Sequence, residues 1–388
     1  MQIDPRPTFA RRVIAWQQLS GRHHLPWQNT KNAYHIWLSE IMLQQTQVAT
    51  VIPYYERFLA QFPNFQTLAL AQPDAVLAAW AGLGYYSRAR NLHQCAKQIV
   101  ASYQGQFPRD VDAALALPGI GRSTAAAILG FAYGLPLPIL DANVKRVFCR
   151  YFGVYGDPSS AAVSQSLWAI AQQQVDSELV AERVIKSVSE RTADVTKFPI
   201  EAYNQGLMDL GATLCTSKRP DCARCPLSEN CVALQKDCVE QLPSKKRRIA
   251  SPTRKPVFLL VVREQSVWLE RQPAPGIWAG LYSLPKLADD FLVEDNATQA
   301  PIANLIQYWL AQKSWVALNP PMLARRFKHA FTHFKLDAQC WQVAVGSTVQ
   351  TVAEPGKGFY SEADRNQLGL PKPIQTLLKK PVCFLEID

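Results

Sequence analysis

Four cysteines fall within one short stretch, Cys215-x6-Cys222-x2-Cys225-x5-Cys231. In a reducing compartment, thiolates this closely spaced bind metal rather than pair as disulfides. Four of them suit either a structural zinc or an iron–sulfur cluster. Two carboxylates also stand in telling positions. On a helical wheel Glu40 is flanked by Trp37, Ile36, Leu43 and Gln44, the middle of a mostly apolar stripe. Burial there raises a carboxyl's pKa and leaves it protonated, fit to act as a general acid. Asp141 directly precedes a helical pattern, Asn143 to Tyr151, where it serves as an N-cap. Backbone N–H donors and the positive helix end are expected to keep it ionised near neutral pH. An ionised carboxylate stabilises an oxocarbenium-like sugar transition state. Lys145, four residues on, offers Asp141 an ion pair.

Other positions suit ligands less specifically. Leu117-Pro118-Gly119-Ile120-Gly121 opens a helical stretch, Arg122 to Phe131. Glycines at a helix start let the backbone approach a ligand, and the free N–H groups of the first turn bind an anion such as phosphate. Lys218 and Arg219, between the first two cysteines, are candidate phosphate contacts or ordinary surface cations. His329 and His333 have helical metal-pair spacing, but their surroundings read as strand, where such a pair is too far apart to share an ion.

These residues need a scaffold, and the chain supplies two textures. Residues 1–234 carry helical periodicity through Thr8–Leu19, Tyr34–Gln44, Leu77–Leu83, Arg88–Ser102 and Leu179–Val188, with regular Pro and Gly punctuation. Residues 238–256 hold Lys245-Lys246-Arg247-Arg248 between prolines and read as an exposed basic linker. Beyond it, Val257–Val262, Val267–Arg271 and Cys340–Val345 read as strands, and Ile302–Leu310 and Ile374–Leu378 as helices. The expected fold is therefore multidomain, an all-α region followed by an α+β domain.

Composition narrows the function class. The 388 residues are 48% hydrophobic and 19% charged, a globular and not a disordered balance. The apolar run Ala125–Leu140 is interrupted by Gly130, Gly134, Pro136 and Pro138, which excludes a membrane span. The first residues lack an apolar signal core, so a cytoplasmic location is expected. A formal net charge of +10 makes nucleic acid the leading partner class.

The cysteine spacing, with Pro226 after the third thiol, resembles the cluster loop of the endonuclease III superfamily of DNA glycosylases. By that likeness one [4Fe–4S] cluster on Cys215, Cys222, Cys225 and Cys231 is implied, rather than zinc. The Leu117–Gly121 hairpin followed by Ile139-Leu140-Asp141-Ala142-Asn143 resembles the same superfamily's helix–hairpin–helix, Gly/Pro-rich loop and aspartate signature. Three further segments, Leu25-Pro26-Trp27, Trp37 to Val48 and Gly82 to Ala89, closely resemble the MutY family of adenine DNA glycosylases. So do Gly276–Tyr282 and Arg326–Phe334, which resemble that family's Nudix-related C-terminal domain.

The resemblance implies a base-excision enzyme that removes adenine mispaired with 8-oxoguanine or guanine in double-stranded DNA, acting as a monomer. Glu40 matches the acid that protonates adenine and Asp141 the transition-state stabiliser, with Asn143 beside it in the catalytic set. Gln45 and Tyr85 match residues inserted into the opened duplex. Trp27, Gln28 and Gln205 would line the base pocket, and Gly119, Gly121 and Ser123 would meet the DNA backbone. Phe331, Thr332 and His333 would read the strand opposite, with Thr332 where the family's usual trio has serine. The implied domains are 30–140 for the six-helix barrel with the hairpin, and 1–29 with 141–237 for the cluster. Residues 238–256 form the linker, and 257–388 the Nudix-like lesion-recognition domain.

Two alternatives remain open at this level. A bifunctional pyrimidine-specific glycosylase/lyase carries a lysine in the helix after the hairpin. Here Ser123 stands in that place, and serine forms no Schiff base. A non-catalytic iron–sulfur DNA-binding module would keep the cysteines without turnover. Diphosphate hydrolysis is not expected, because Lys286 falls where the first glutamate of a Nudix box should be and no acidic cluster follows.

Overall fold

The Thr8 hydroxyl accepts the Arg11 N–H at 3.2 Å and so caps the first helix, as threonine does at helix starts. The helical series in the computed structural model runs α1 (Phe9–Ser20), α2 (Ala33–Leu43), α3 (Val48–Gln61), α4 (Phe65–Leu70), α5 (Pro73–Trp80) and α6 (Ser87–Tyr103). It continues with α7 (Val111–Leu115), α8 (Arg122–Tyr133), α9 (Ala142–Tyr151), α10 (Ala161–Val188), α11 (Ile200–Thr213) and α12 (Val232–Gln235). The structure describes residues 8–188, 198–244, 251–288, 300–331, 333–346 and 354–379; Thr332 and the Lys245–Arg248 run lie outside the described residues. No helix among the described residues is long and apolar enough to cross a membrane.

The chain divides into two units, Met1–Ala69 with Gln94–Arg248, and Leu70–His93 with Ile249–Asp388. In the first unit α1 packs on α11, which also meets α8 and α9, while α2 packs on α3 and α8. Close approach of α1 and α11 depends on Gly206, where a Cβ would sit 2.7 Å from a Val13 methyl. An aromatic group, Phe9 with Phe148, Tyr151, Phe152 and Tyr203, fills the core shared by α1, α9 and α11. A second group, Tyr34, Trp37 and Phe65, locks α2 in place, and the Tyr34 hydroxyl donates to the Phe62 carbonyl at 2.5 Å.

The second unit contains a mixed sheet built from β1 (Thr253–Arg254), β2 (Val257–Arg263), β3 (Ser266–Arg271), β4 (Tyr282–Ser283), β5 (Lys286–Ala288), β6 (Met322–Ala330), β7 (Lys335–Ala344) and β8 (Lys357–Tyr360). Its central order is β1-β7-β2-β3-β4, with β2 parallel to β7 in the register Val257↔Gln339 to Val262↔Ala344. Consecutive residues of β2 are buried, so both of its faces are covered and its apolar run is continuous. On one face α13 (Ala300–Gln312) lays Ile302, Ile306 and Leu310 against Val257, Leu259, Val261 and Trp268. Two short helices, α14 (Glu362–Arg365) and α15 (Lys372–Leu378), follow the sheet.

Two expectations change. Residues 77–83 are not one helical segment: α5 stops at Trp80, and Gly82 and Gly84 adopt positive φ beyond it. The stretch read as an exposed linker is held at both described ends. Cys238 and Leu242 are buried against Ala233, and Thr253–Arg254 pairs with β7. Apolar side chains at 238 and 242 join a small buried cluster with Ala233.

Candidate active site

Glu40 sits near the end of α2, which Asn32 caps by accepting the Tyr34 N–H at 2.9 Å. Its neighbours Ile36, Trp37, Ile41 and Met42 are buried, and its carboxyl faces a cavity of about 370 Å³. That volume lies at the small end for ligand sites. Trp27, Gln28 and Gln205 line the same cavity. Trp27 is held edge-on against Tyr55, with ring centroids 5.3 Å apart. The Gln28 Oε1 accepts the Leu25 N–H at 3.1 Å, while its buried Nε2 has no partner among the described residues. An unpaired buried donor in a cavity wall is a place for a ligand acceptor. Burial first, and the charge of Asp141 second, push the Glu40 carboxyl up to about 8. Glu40 therefore carries its proton at neutral pH.

Asp141 caps α9, its Oδ1 accepting the Val144 N–H at 2.8 Å and its Oδ2 the Asn143 side-chain amide at 3.2 Å. Arg146 extends this chain. One Nη donates to Asn143 Oδ1 at 2.8 Å and to the Gly211 carbonyl at 2.7 Å, and its Nε donates to the Cys215 carbonyl at 2.7 Å. The N-cap donors do hold Asp141 down, as the sequence suggested, and the Arg146 charge helps. Burial is nevertheless the largest influence, and the net direction is upward from the usual aspartate value. Two neighbouring carboxyls in a dry site do not both ionise readily. The donors aimed at Asp141 favour the negative charge there, and burial together with that charge favours the proton on Glu40. The expected Lys145 pair does not form. Lys145 turns instead to the Pro158 carbonyl at 3.0 Å and the Ser164 hydroxyl at 3.4 Å.

The hairpin lies between α7 and α8. Gly119 has φ +80°, a left-handed conformation that glycine adopts without strain. Gly121 caps α8 at an ordinary φ of −96°, and a Cβ there would meet nothing within 4 Å. Packing within the protein therefore does not require a glycine at 121. The Ser123 hydroxyl accepts the Leu140 N–H at 3.0 Å, which ties the start of α8 to the residue before Asp141. Gln45 is exposed just past α2 and has φ +57°, a strained backbone for a residue with a side chain.

Cys215, Cys222, Cys225 and Cys231 are all free thiols and line one small pocket with Arg150. Tight turns bring them round: the Cys225 N–H donates to the Cys222 carbonyl and the Cys231 N–H to the Ser228 carbonyl. Arg150 donates to the Cys215 sulfur at 3.3 Å, and to the Val239 and Leu242 carbonyls at 3.1 and 2.8 Å. Four thiols sharing one pocket beside a buried guanidinium fit a negatively charged thiolate-ligated centre. Among the described residues no group of three or more His, Cys, Asp or Glu side chains is placed to hold a single metal ion. Lys218 and Arg219 are exposed on the loop between the first two cysteines.

In the second unit, Tyr85 is 45% exposed with φ +47°. It lines a cavity of about 510 Å³ together with Trp278, Phe331 and His333. Phe331 and His333 occupy the turn between β6 and β7, where the Phe331 N–H donates to the Phe334 carbonyl at 2.8 Å. His329 belongs to β6. Of the expected positions, then, Trp27, Gln28, Glu40 and Gln205 share one cavity, with Asp141 in electrostatic reach of Glu40 and Asn143 hydrogen-bonded to Asp141. Arg22, Arg146, Arg150 and Asp209 were not singled out from sequence. The i,i+3 spacing of Asn143 and Arg146 and the i,i+4 spacing of Gln205 and Asp209 were the available signals.

Residues 38–191 match the model of the HhH-GPD superfamily of base excision DNA repair proteins, and residues 257–380 that of the NUDIX domain. The adenine DNA glycosylase of Buchnera aphidicola subsp. Acyrthosiphon pisum is 34% identical over 375 residues, 96% of this chain and 97% of that relative. The adenine DNA glycosylase of Homo sapiens is 32% identical, covering 96% of this chain and 73% of that relative. A solved thermostable thymine-DNA glycosylase is 26% identical over 59% of this chain and 95% of its own, with a TM-score of 0.49. The helical region is thus an HhH-GPD region, the C-terminal sheet domain is Nudix-like, and the chain belongs to the adenine DNA glycosylase family.

Proposed function

We propose that this protein hydrolyses the N-glycosidic bond of adenine mispaired with 8-oxoguanine or guanine in duplex DNA, with water as the final nucleophile. The observation that carries this reading is the cavity where a protonated Glu40 faces Trp27, Gln28 and Gln205 next to a hydrogen-bonded Asp141. Adenine must leave the stack to enter such a cavity. Gln45 and Tyr85, exposed and held in left-handed backbone, suit the task of holding the gap open. Glu40 donates its proton to a ring nitrogen of the base, which makes adenine a better leaving group. Asp141 stabilises the positive charge that grows on the sugar as the bond breaks. Deprotonated Glu40 is then placed to activate the incoming water.

Ser123 carries no amine to form a Schiff base, and its hydroxyl accepts the Leu140 N–H, so strand cutting is not part of the proposed reaction. The hairpin N–H groups and the open face of Gly121 suit a DNA phosphate. Cys215, Cys222, Cys225 and Cys231 would hold one [4Fe–4S] cluster, whose contribution is to tie the loop at residues 215–231 to α9 and α11. In this reading residues 30–140 carry the hairpin and 1–29 with 141–237 the cluster. Residues 238–256 connect to 257–388, where Phe331, Thr332 and His333 read the base opposite. The protein works as a monomer in the cytoplasm.

The test is a single-turnover assay on duplexes carrying A:8-oxoG, A:G, A:C and A:T. Fast release of free adenine from the first two, without strand scission before alkali, is expected. No release from any of the four refutes the proposal.

A further inference from the structure

Asp209 has no exposed surface and lies one helical turn beyond Gln205 on α11. Its Oδ1 accepts the Arg22 Nε at 2.7 Å and the Gln205 Nε2 at 2.8 Å, and its Oδ2 accepts the Arg22 backbone N–H at 2.8 Å. This junction is built closely. At Gly21 a Cβ would sit 2.5 Å from the Gln17 carbonyl oxygen and 3.2 Å from Asp209 Oδ2. Gly21 therefore lets the end of α1 deliver the Arg22 N–H to the carboxylate.

The chemistry of the junction decides which way the Gln205 amide faces. A carboxylate paired with a guanidinium only accepts hydrogen bonds, so the amide must turn its NH₂ toward Asp209. Its carbonyl oxygen is then the end left over. That oxygen has no hydrogen bond among the described residues, and Gln205 is part of the cavity wall that holds Glu40. The cavity thus offers a fixed acceptor from Gln205, and a fixed donor from the unpaired Gln28 Nε2. A 6-aminopurine supplies a donor where a 6-oxopurine supplies an acceptor.

We propose that Asp209 is a positioning residue for base selectivity: by locking the Gln205 amide, it makes the cavity wall accept from an exocyclic 6-amino group and repel a 6-oxo group. This rests on the reading that the extruded base enters this cavity. A site built to hydrogen-bond one group discriminates strongly against a base lacking it, because its own polar atom is left unpaired.

The test measures single-turnover excision of adenine, of unsubstituted purine (which lacks the 6-amino group) and of hypoxanthine, each opposite 8-oxoguanine in the same duplex. Asp209→Asn permits the Gln205 amide to face either way. The adenine-to-purine rate ratio should then fall about fivefold to tenfold from the wild-type ratio, as expected for one lost hydrogen bond. The adenine-to-hypoxanthine ratio should fall further. Gln205→Leu should lower the adenine-to-purine ratio similarly, and the double variant should add nothing to it. If the three rates drop together in Asp209→Asn, Asp209 supports the fold only and the proposal fails. If Asp209→Asn and Gln205→Leu leave all three rates unchanged, the base does not occupy this cavity and the underlying reading fails as well. Should Asp209→Asn not fold, Gln205→Leu decides: an unaltered adenine-to-purine ratio overturns the proposal.

Discussion

Replacing Glu40 by glutamine should inactivate the protein and stabilise it at the same time. The glutamine keeps the side chain's shape and cannot donate a carboxyl proton, so the loss should be on the order of 10²–10⁴-fold in single-turnover rate. The stability effect follows from the same shift. Glu40 is raised from 4.5 in the unfolded chain to about 8 in the folded one. Between those values the folded state binds a proton that the unfolded state releases. Glu40 therefore favours folding only at low pH, and this contribution is lost as pH rises through the window. Glutamine does not titrate and escapes the loss. At about pH 7.5, some three units above the unfolded value, the gap amounts to a ceiling of about 4 kcal/mol at roughly 1.4 kcal/mol per unit. That corresponds to a rise in Tm on the order of 10 °C for a unit of this size. At about pH 5 the two proteins should differ by no more than about 1 kcal/mol. Thermal or urea unfolding of both at the two pH values reads the difference directly. A gap that is the same at both pH values would show that Glu40 is not held protonated by burial, and the assignment of the acid would fall with it.

Four other outcomes follow from the same geometry. The excision rate should decline as pH rises through about 8, where Glu40 loses its proton, and a flat profile to higher pH would point to another acid. Asn143→Ala removes a donor from Asp141, so the rate should drop about tenfold or more and the acid limb of the profile should move to higher pH. Gly121→Ala should leave unfolding stability within about 0.5 kcal/mol or slightly improved, while DNA affinity by fluorescence anisotropy weakens several-fold. Cys222→Ser should lower iron and labile sulfide per chain; stoichiometric zinc with no iron in anaerobically purified wild-type protein would overturn the cluster assignment.

What could be read from the sequence follows from how local each feature is. Glu40's place among Ile36, Trp37 and Leu43 is a property of one helix, so a wheel shows it. Asp141 as an N-cap is equally local. The Asp141–Lys145 pairing used the same local logic and failed, because a carbonyl and a hydroxyl from residues 158 and 164 claim the ammonium. Asp209 was out of reach for a different reason. Its partner Arg22 lies 187 residues away, and only the packing of α1 on α11 joins them. The upward net shift of Asp141 was likewise hidden, since burial is set by the whole fold whereas its N-cap donors come from two nearby residues, Asn143 and Val144. Strand assignments in the second unit succeeded where runs were buried on both faces, as in β2.

The account turns on two neighbouring carboxyls in opposite protonation states, and infrared spectroscopy observes this directly. Difference spectra of protein with isotopically labelled glutamate, wild type against Glu40→Gln, would be recorded as pH is stepped from about 6 to about 9. The predicted result is a protonated-carboxyl carbonyl band at neutral pH that is absent from the variant. It should convert to the carboxylate bands as pH passes about 8. A Glu40 signal already in the carboxylate form at about pH 6 would contradict the account, because no acid would then stand ready to protonate the departing base.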